Sequence, residues 1–363
     1  MNKLQQLISE TKRPFLVSGP CSVESEEQIF TIIRDLKKTG KVNLLRAGIW
    51  KPRTRPDSFE GLGEMALPWY VQASKEAGIK CSTEIANAKH VELALKHGVD
   101  VLWIGARTTV NPFTVQEIAD ALAGTNVPIM IKNPINPDLS LWLGAFERLE
   151  KAGVSDLVAI HRGFSVYTHP KYRNVPSWEI PIGLKEKMPE IPLLCDPSHI
   201  TGNRKLLLEV SQKAMDLNFN GLMIETHHNP DKAWSDAEQQ ITAFQLEELL
   251  ASLHLRSSII PTDKLNEMEH MREKIANLDE RIFEMLSARM RISEEVGVYK
   301  SKNNITILQE QHWNAVIENN LKKSESLGLT PKFIRSMIDA IHQESIRHQI
   351  RVMNPDQLGS NDK

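Results

Sequence analysis

The stretch RAGIWKPRTRP, residues Arg46 to Pro56, decides how the chain is read. It follows Val42-Asn43-Leu44-Leu45, an apolar run with the length and texture of a buried strand. It holds the cations Arg46, Lys51, Arg53 and Arg55, while Pro52 and Pro56 exclude helix and central strand. The segment is therefore a stiff cationic loop at a strand end. Guanidinium forks and an ammonium at such a place suit phosphate and carboxylate groups. A single basic loop would be read as solvated surface, but here the pattern of strand followed by charge recurs along the chain.

Working outward, short apolar runs alternate with helical patterns from Pro14 to about Leu253. The runs at 15–18, 43–47, 80–84, 101–105, 129–132, 157–161, 193–195 and 221–225 read as strands. Helices are expected over 25–39, 63–77, 87–96, 112–123, 139–152, 204–217 and 236–253. Eight βα units of this size predict an α/β fold, a (β/α)₈ TIM barrel, with a doubly wound open sheet as the alternative. No GxGxxG follows the first strand, which weighs against a dinucleotide site.

After Leu253 the texture changes. Residues 254–263 carry Pro261 and polar residues and read as a linker. Residues 264–353 read as a smaller all-α domain of three helices, over 265–303, about 306–325 and 332–353. Gly328 is a stop signal, and Thr330-Pro331 is a start signal with proline at the first helical position. The expected organisation is a barrel over 1–253, the linker, the helical domain and a tail over 354–363.

With 363 residues, 41% apolar and 25% charged, the chain has an ordinary globular composition and room for both domains. A net charge of -2 gives no global electrostatic case for nucleic acid or anionic membrane, and no apolar run approaches spanning length. Neither is expected as a partner. The opening MNKLQQLISETKR is amphipathic and lacks the apolar core of a signal peptide. Cys21, Cys81 and Cys195 are too few and too scattered for a disulfide framework, so a reducing cytoplasm is the expected compartment.

In a (β/α)₈ barrel, chemistry sits at the C-terminal ends of the strands. Those ends read, in order, Gly19-Pro20-Cys21-Ser22; Arg46 with Lys51-Pro52-Arg53-Thr54; Glu84; Arg107; Lys132; His161 with Arg162; Asp196-Pro197-Ser198-His199; and Glu225, with Asp236 eleven residues on. Cys21, His199, Glu225 and Asp236 come from adjacent ends, since the last strand of a closed barrel neighbours the first. Thiolate, imidazole and two carboxylates suit a divalent ion, Mn²⁺ first, with Fe²⁺, Co²⁺ or Zn²⁺ as alternatives. Taken singly, Cys21 would be a small buried hydrophobe and Asp236 a helix cap; their joint placement favours the metal. Cys81 and Cys195, inside strands, read as core.

Arg46, Arg107, Lys132 and Arg162 project from strands two, four, five and six. Four cations at one mouth repel one another unless an anion sits among them, and a phosphorylated carboxylate fits. Lys51, Arg53 and Thr54 form a second anion site further out. Two anion sites flanking a metal point to two phosphorylated substrates joined by metal-assisted chemistry.

In the first tail helix, Met268, Met271, Ile275, Leu278, Ile282 and Met285 are spaced three and four apart, and the stripe continues through Arg289 to Ile292, Val296 and Tyr299. This is a helix-packing seam with a guanidinium inside it, and Lys300 lies three turns further along the same face. Two readings stand: an anion pocket between helices, or an interface arginine paired with a glutamate.

Residues 14–250 resemble the catalytic barrel of type I 3-deoxy-D-arabino-heptulosonate 7-phosphate (DAHP) synthases, most like the Iβ subgroup. The resemblance rests on GPCS (19–22), RAGxxKPRT (46–54), IGAR (104–107), Lys132, HRG (161–163), DPSH (196–199), IETH (224–227) and SDAEQQ (235–240). It implies that Cys21, His199, Glu225 and Asp236 bind the metal. It implies that Arg46, Arg107, Lys132 and Arg162 hold phosphoenolpyruvate, and that Lys51, Pro52, Arg53 and Thr54 hold erythrose 4-phosphate. The related KDO8P synthases have an Asn where KPRT has its Arg.

Residues 264–353 resemble AroQ-type chorismate mutases, all-helical dimers that convert chorismate to prephenate. The matches are MREKIANLDERI (271–282), Arg289, Lys300, ILQ (307–309) and ES...Q (344–349). By position, Arg272, Arg289, Lys300, Gln309, Ser345 and Gln349 would line the pocket. Arg272 lies about 100° round the helix from Arg289, as expected for an arginine that enters the partner subunit's site. Lys132, Arg289 and Lys300 are the residues implied in catalysis. The chain departs from the family at His312-Trp313, where an arginine is usual.

The expectation is a bifunctional shikimate-pathway enzyme, a homodimer through its tail. No domain is expected before the barrel, so feedback by prephenate or chorismate would pass through the tail. One alternative is a tail that only senses ligand and dimerises, favoured by His312. Another is a barrel that uses arabinose 5-phosphate.

Overall fold

The computed structural model describes residues 3–11, 14–51, 57, 59–167, 171–257 and 259–354, apart from the side chains of 310–312 and 325. Pro52, Arg53, Thr54 and the side chain of His312 therefore lie outside the described residues. The chain divides into two compact units, Met1–Ser258 and Ile259–Lys363.

In the first unit eight parallel strands close a barrel in sequence order. They are β1 (Phe15–Gly19), β2 (Leu44–Ala47), β3 (Cys81–Ile85), β4 (Val101–Ile104), β5 (Ile129–Lys132), β6 (Leu157–His161), β7 (Leu193–Cys195) and β8 (Gly221–Glu225). Closure is by β1 on β8, in register from Phe15 opposite Gly221 to Gly19 opposite Glu225. The open-sheet alternative is excluded.

The helices of this unit are α1 (Lys3–Glu10), α2 (Glu26–Thr39), α3 (Ala66–Ala77), α4 (Ala88–His97), α5 (Ala106–Thr109), α6 (Pro112–Leu122), α7 (Leu139–Lys151), α8 (Glu179–Lys187), α9 (Pro197–Thr201), α10 (Leu207–Asp216) and α11 (Ala243–Ala251). Ser25, Asn87, Asn111 and Asp138 cap α2, α4, α6 and α7 through side-chain oxygens. Two expectations change. Helix α8 was not anticipated, because Pro181 and Gly183 within it weaken its period. The helix after β8 starts at Ala243 and not at Asp236, and Thr242 with Gln245 forms its capping box.

Strand parity sorts the barrel into two cores. Phe15, Val17, Leu44, Val101, Trp103, Met130, Val158, Ile160, Leu194 and Met223 fill the interior. Their neighbours of opposite parity, such as Leu16, Leu45, Leu102, Ile131 and Leu222, pack against the helices, and Cys81 and Cys195 belong to that layer. Leu4 and Ile8 of α1 join the interior cluster, and the Leu4 and Gln5 amides donate to the Asp156 carboxylate at 2.7 and 3.0 Å. The amphipathic opening thus plugs the N-terminal end of the barrel and leaves the other end for the site.

The second unit consists of α12 (Thr262–Lys302), α13 (Glu310–Lys323) and α14 (Pro331–Met353). Thr330 caps α14, with Pro331 in its first turn. Gly297 lets α12 and α14 approach closely, since a Cβ there would lie 3.0 Å from the Gln349 Cα.

Candidate active sites

The barrel site is the top layer of the interior column. Two residues beyond Leu44, Val158, Leu194 and Met223 in the period-two pattern come Arg46, Ile160 with Arg162 after it, Asp196 and Glu225; Lys132 follows Met130 in the same way. Arg46, Lys132, Arg162, Asp196 and Glu225 are all buried. The interior Trp103 forms their floor, with the Arg46 guanidinium 5.2 Å and the Lys132 ammonium 5.8 Å from its ring centroid.

Charge is matched pairwise within this layer. Arg46 Nη2 lies 2.9 Å from Glu225 Oε1, and Lys132 Nζ lies 2.7 Å from Asp196 Oδ2. His199 Nδ1 is 2.8 Å from that same Asp196 oxygen, and its Nε2 is 3.8 Å from Glu225 Oε1. Burial pushes the Asp196 carboxyl up, but His199 and Lys132 together hold it well below the usual carboxylate range. Burial pulls Lys132 down, and Asp196 offsets part of this. Burial lowers Arg162 to about 10, and Arg162 Nη1 donates to Asn174 Oδ1 at 2.7 Å.

Three of the four expected metal ligands fall into one cluster. One ligand atom from each of Cys21, Glu225 and Asp236 falls within 4.8 Å of the others, and the Cys21 sulfur is 3.3 Å from Asp236 Oδ2. The His199 imidazole approaches from the Glu225 side. The competing reading of Asp236 as a helix cap fails, because its side chain makes no capping hydrogen bond. Burial and then Glu225 push the Cys21 thiol up to about 12. A divalent cation held among these atoms would reverse that bias, since coordination deprotonates a thiol. The donor set therefore fits a transition ion.

Lys51 reaches the same place. Its ammonium donates to the Cys21 carbonyl and sulfur, both at 3.1 Å. Cys21 and Glu225 hold Lys51 above its ordinary value against burial. A cleft at the mouth is lined by Lys51, Glu84, Arg107, Lys132, Arg162 and His199, with Arg173 and Asp236 at its rim. Lys51 thus stands beside the expected metal ligands, and Arg53 and Thr54, expected to share its anion site, lie outside the described residues.

One strand-end residue is corrected. His161 precedes Arg162 and has the opposite parity, so it leaves the mouth and packs among Phe164, Trp178 and Phe219. Sequence reasoning gave no role to Asp196, Arg173 or Gln239. For Asp196 the signal was available, two residues after the inward Leu194. Arg173 sits on a loop and Gln239 in a single 3-10 turn, where no period marks direction.

In the second unit a cavity of about 420 Å³ opens between α12, α13 and α14. Arg289, Lys300, Gln309, Ser345 and Gln349 all line it. Arg289 Nη1 donates to Ser345 Oγ, and Lys300 Nζ donates to Ile307 O at 2.6 Å and Gln349 Oε1 at 3.2 Å. Burial lowers both cations. Arg289 faces the cavity, and among the described residues no ion pair joins it to a glutamate. Arg272 is not brought into this cavity; its partner is Glu269, at 3.9 Å along α12. A stacked pair that the sequence did not suggest, Trp313 on His342 with ring centroids 3.6 Å apart, forms part of the wall.

Comparison with known proteins bears on both units. The model of the DAHP synthetase I family matches residues 2–260, and that of chorismate mutase type II matches residues 271–350. A phospho-2-dehydro-3-deoxyheptonate aldolase of Thermotoga maritima is 29% identical over 238 residues, covering 66% of this chain and 68% of that protein. A 2-dehydro-3-deoxyphosphooctonate aldolase of Pseudomonas putida is 25% identical over 266 residues, covering 68% of this chain and 92% of the other. The crystal structure of the Thermotoga maritima DAHP synthase superposes with a TM-score of 0.60 at 28% identity, over 66% of this chain and 68% of that one.

Proposed function

The chain belongs to the DAHP synthetase I family and carries a chorismate mutase type II domain, a bifunctional shikimate-pathway enzyme, and from that premise we propose how each unit works. The barrel joins phosphoenolpyruvate to erythrose 4-phosphate, forming DAHP and phosphate. The observation that carries this reading is the buried layer of Arg46, Lys132 and Arg162 beside the cluster of Cys21, Glu225 and Asp236.

In this reading Arg46, Arg107, Lys132 and Arg162 bind the carboxylate and phosphate of phosphoenolpyruvate, and Lys51, Pro52, Arg53 and Thr54 hold the sugar phosphate. A divalent ion held by Cys21, His199, Glu225 and Asp236, Mn²⁺ first, would supply Lewis-acid polarisation of the aldehyde. The cations orient the enol carbon toward the aldehyde and stabilise negative charge as it develops. Asp196 fixes the Lys132 ammonium and orients His199 through Nδ1. Water adds at C2 and phosphate leaves.

The helical unit rearranges chorismate to prephenate without covalent catalysis. Arg289 and Lys300, held by Ser345 and Gln349, would bind the carboxylates and ether oxygen, with Gln309 completing the wall. We infer a homodimer along α12 as part of this reading. Met271, Ile275, Leu278, Ile282 and Met285 are all exposed in the single chain, an apolar stripe that a second copy would cover. Across that seam Arg272 would enter the partner subunit's pocket. Prephenate or chorismate bound there would restrain the barrel. No helix among the described residues is long and apolar enough to cross a membrane, and cytoplasmic localisation remains part of this proposal.

The decisive assay offers erythrose 4-phosphate and arabinose 5-phosphate separately with phosphoenolpyruvate, with and without chelator. Phosphate release is expected only with the four-carbon sugar and no chelator. Release with arabinose 5-phosphate alone would overturn the reading. Disappearance of chorismate absorbance with the same protein tests the tail, and binding without turnover would favour a sensing module. Prephenate that binds and leaves phosphate release unchanged would remove the feedback role.

A further inference from the structure

Two consecutive amides join the metal-ligand cluster to the loop after β8. Gln239 is buried. Its Nε2 donates to Glu225 Oε2 at 2.6 Å, and its Oε1 accepts from Arg173 Nη1 at 2.9 Å. The same Arg173 nitrogen donates to Asp236 Oδ1 at 3.1 Å. Gln240 is fully buried; its Oε1 accepts from the Cys21 amide at 3.0 Å, and its Nε2 donates to the Ser235 carbonyl at 2.9 Å. The loop between is clamped by Arg204, which donates to the Ala237 carbonyl at 2.7 Å and to Asp231 Oδ1 at 2.8 Å.

Only a side chain with one donor end and one acceptor end satisfies the site of Gln239. A carboxylate there would face Glu225, and a cation would face Arg173. The orientation of the amide is therefore set by its neighbours, and it in turn fixes the Glu225 carboxylate. Oε2 is held by the amide while Oε1 is turned toward Arg46 and His199. A carboxylate free to rotate would present its oxygens to the cluster only part of the time.

We propose that Gln239 is a positioning residue for the metal: by holding Glu225 on one side and Arg173, and through it Asp236, on the other, it preorganises the ligands without itself binding the ion. The inference rests on the metal reading of Cys21, His199, Glu225 and Asp236. Orienting partners of this kind are worth roughly 10- to 100-fold in metal affinity.

The test uses full-length protein stripped with chelator and titrated with Mn²⁺, the free ion being followed by its electron paramagnetic resonance signal. Gln239→Met keeps the length of the side chain and removes both hydrogen bonds. The expected result is a rise in the Mn²⁺ dissociation constant of roughly 10- to 100-fold, with the unfolding temperature in chelator close to that of the parent. If Gln239→Met does not fold, Gln239→Asn replaces it, since that amide is one methylene too short to reach Glu225. A dissociation constant within twofold of the parent in the variant that folds overturns the inference, and a lower unfolding temperature with unchanged Mn²⁺ affinity does the same. A parent protein that binds no Mn²⁺ overturns the metal reading itself and the inference with it.

Discussion

Lys132 and Asp196 form an ion pair across the barrel mouth, 2.7 Å from ammonium to carboxylate, with both side chains buried. Removing one member of such a pair strands the other, at about 3–5 kcal/mol. The two ends are not equivalent. Without Lys132, Asp196 keeps His199; without Asp196, Lys132 loses its carboxylate and α9 loses its cap, where Asp196 Oδ1 accepts from the His199 amide at 3.1 Å. Asp196→Ala is therefore expected to lower the barrel's stability by about 3–5 kcal/mol, read from the urea midpoint. Lys132→Met should cost less stability yet lower phosphate release by at least a hundredfold, an order of magnitude set by the loss of a charge that stabilises the transition state.

Gly48 makes room for Lys51. A Cβ at that position would lie 2.3 Å from the Cys21 carbonyl oxygen and 2.7 Å from Lys51 Cδ. The carbonyl cannot retreat without moving the chain that carries the Cys21 sulfur. Gly48→Ala is expected to lower kcat/KM for phosphate release by roughly 10- to 100-fold, the cost of a displacement near 1 Å in a preorganised site. Chorismate turnover in the same preparation should be unchanged. Unaltered phosphate release would mean that Lys51 need not stand against Cys21.

His161 gives the barrel an acid limit. Burial among aromatic rings, with Arg162 adjacent, lowers it from 6.5 to about 3. The folded state thus excludes a proton that the unfolded chain accepts. Above pH 6.5 the residue has no effect on stability; below it, stability falls by about 1.4 kcal/mol for each pH unit until the folded group itself titrates. His161→Phe should make the pH dependence of unfolding between pH 6 and 4, extremes chosen roughly from those two values, shallower by one proton. An identical slope would show that the imidazole is not held neutral.

Much of this was legible in the sequence, and parity explains both the success and the limits. A strand of period two that alternates between barrel interior and helix layer makes Arg46, Lys132 and Glu225 the next inward residues after an apolar column, and their chemistry is then exposed by position. The same rule separates His161 from Arg162, which a reading by strand ends alone does not do. Gln239 and Arg173 could not be found this way. Arg173 lies on a loop and Gln239 in a single 3-10 turn, both oriented by tertiary hydrogen bonds, and nothing in SDAEQQ itself says which amide faces Glu225. In the helices the 3.6-residue period carried Arg289 and Lys300 into one pocket. Trp313 and His342 come from different helices, and a stacked pair of that kind leaves no periodic trace.

The absence of Arg272 from the pocket that holds Arg289 gives the sharpest test of the second unit. Arg272 is well exposed, and its partner is Glu269 on the same helix. If a dimer forms along α12, each pocket takes Arg289 from one subunit and Arg272 from the other. Arg272→Ala and Arg289→Ala homodimers would each lack an essential cation in both pockets. Mixed and allowed to exchange, they form heterodimers in which one pocket has lost both cations and the other has kept both. With random exchange half of the dimers are mixed and half of their pockets are intact, so chorismate turnover should recover to about 25% of the parent level by the geometry of an isologous interface. Were Arg272 to serve the pocket of its own chain, no combination would restore a complete pocket, and the mixture would stay as inactive as its components.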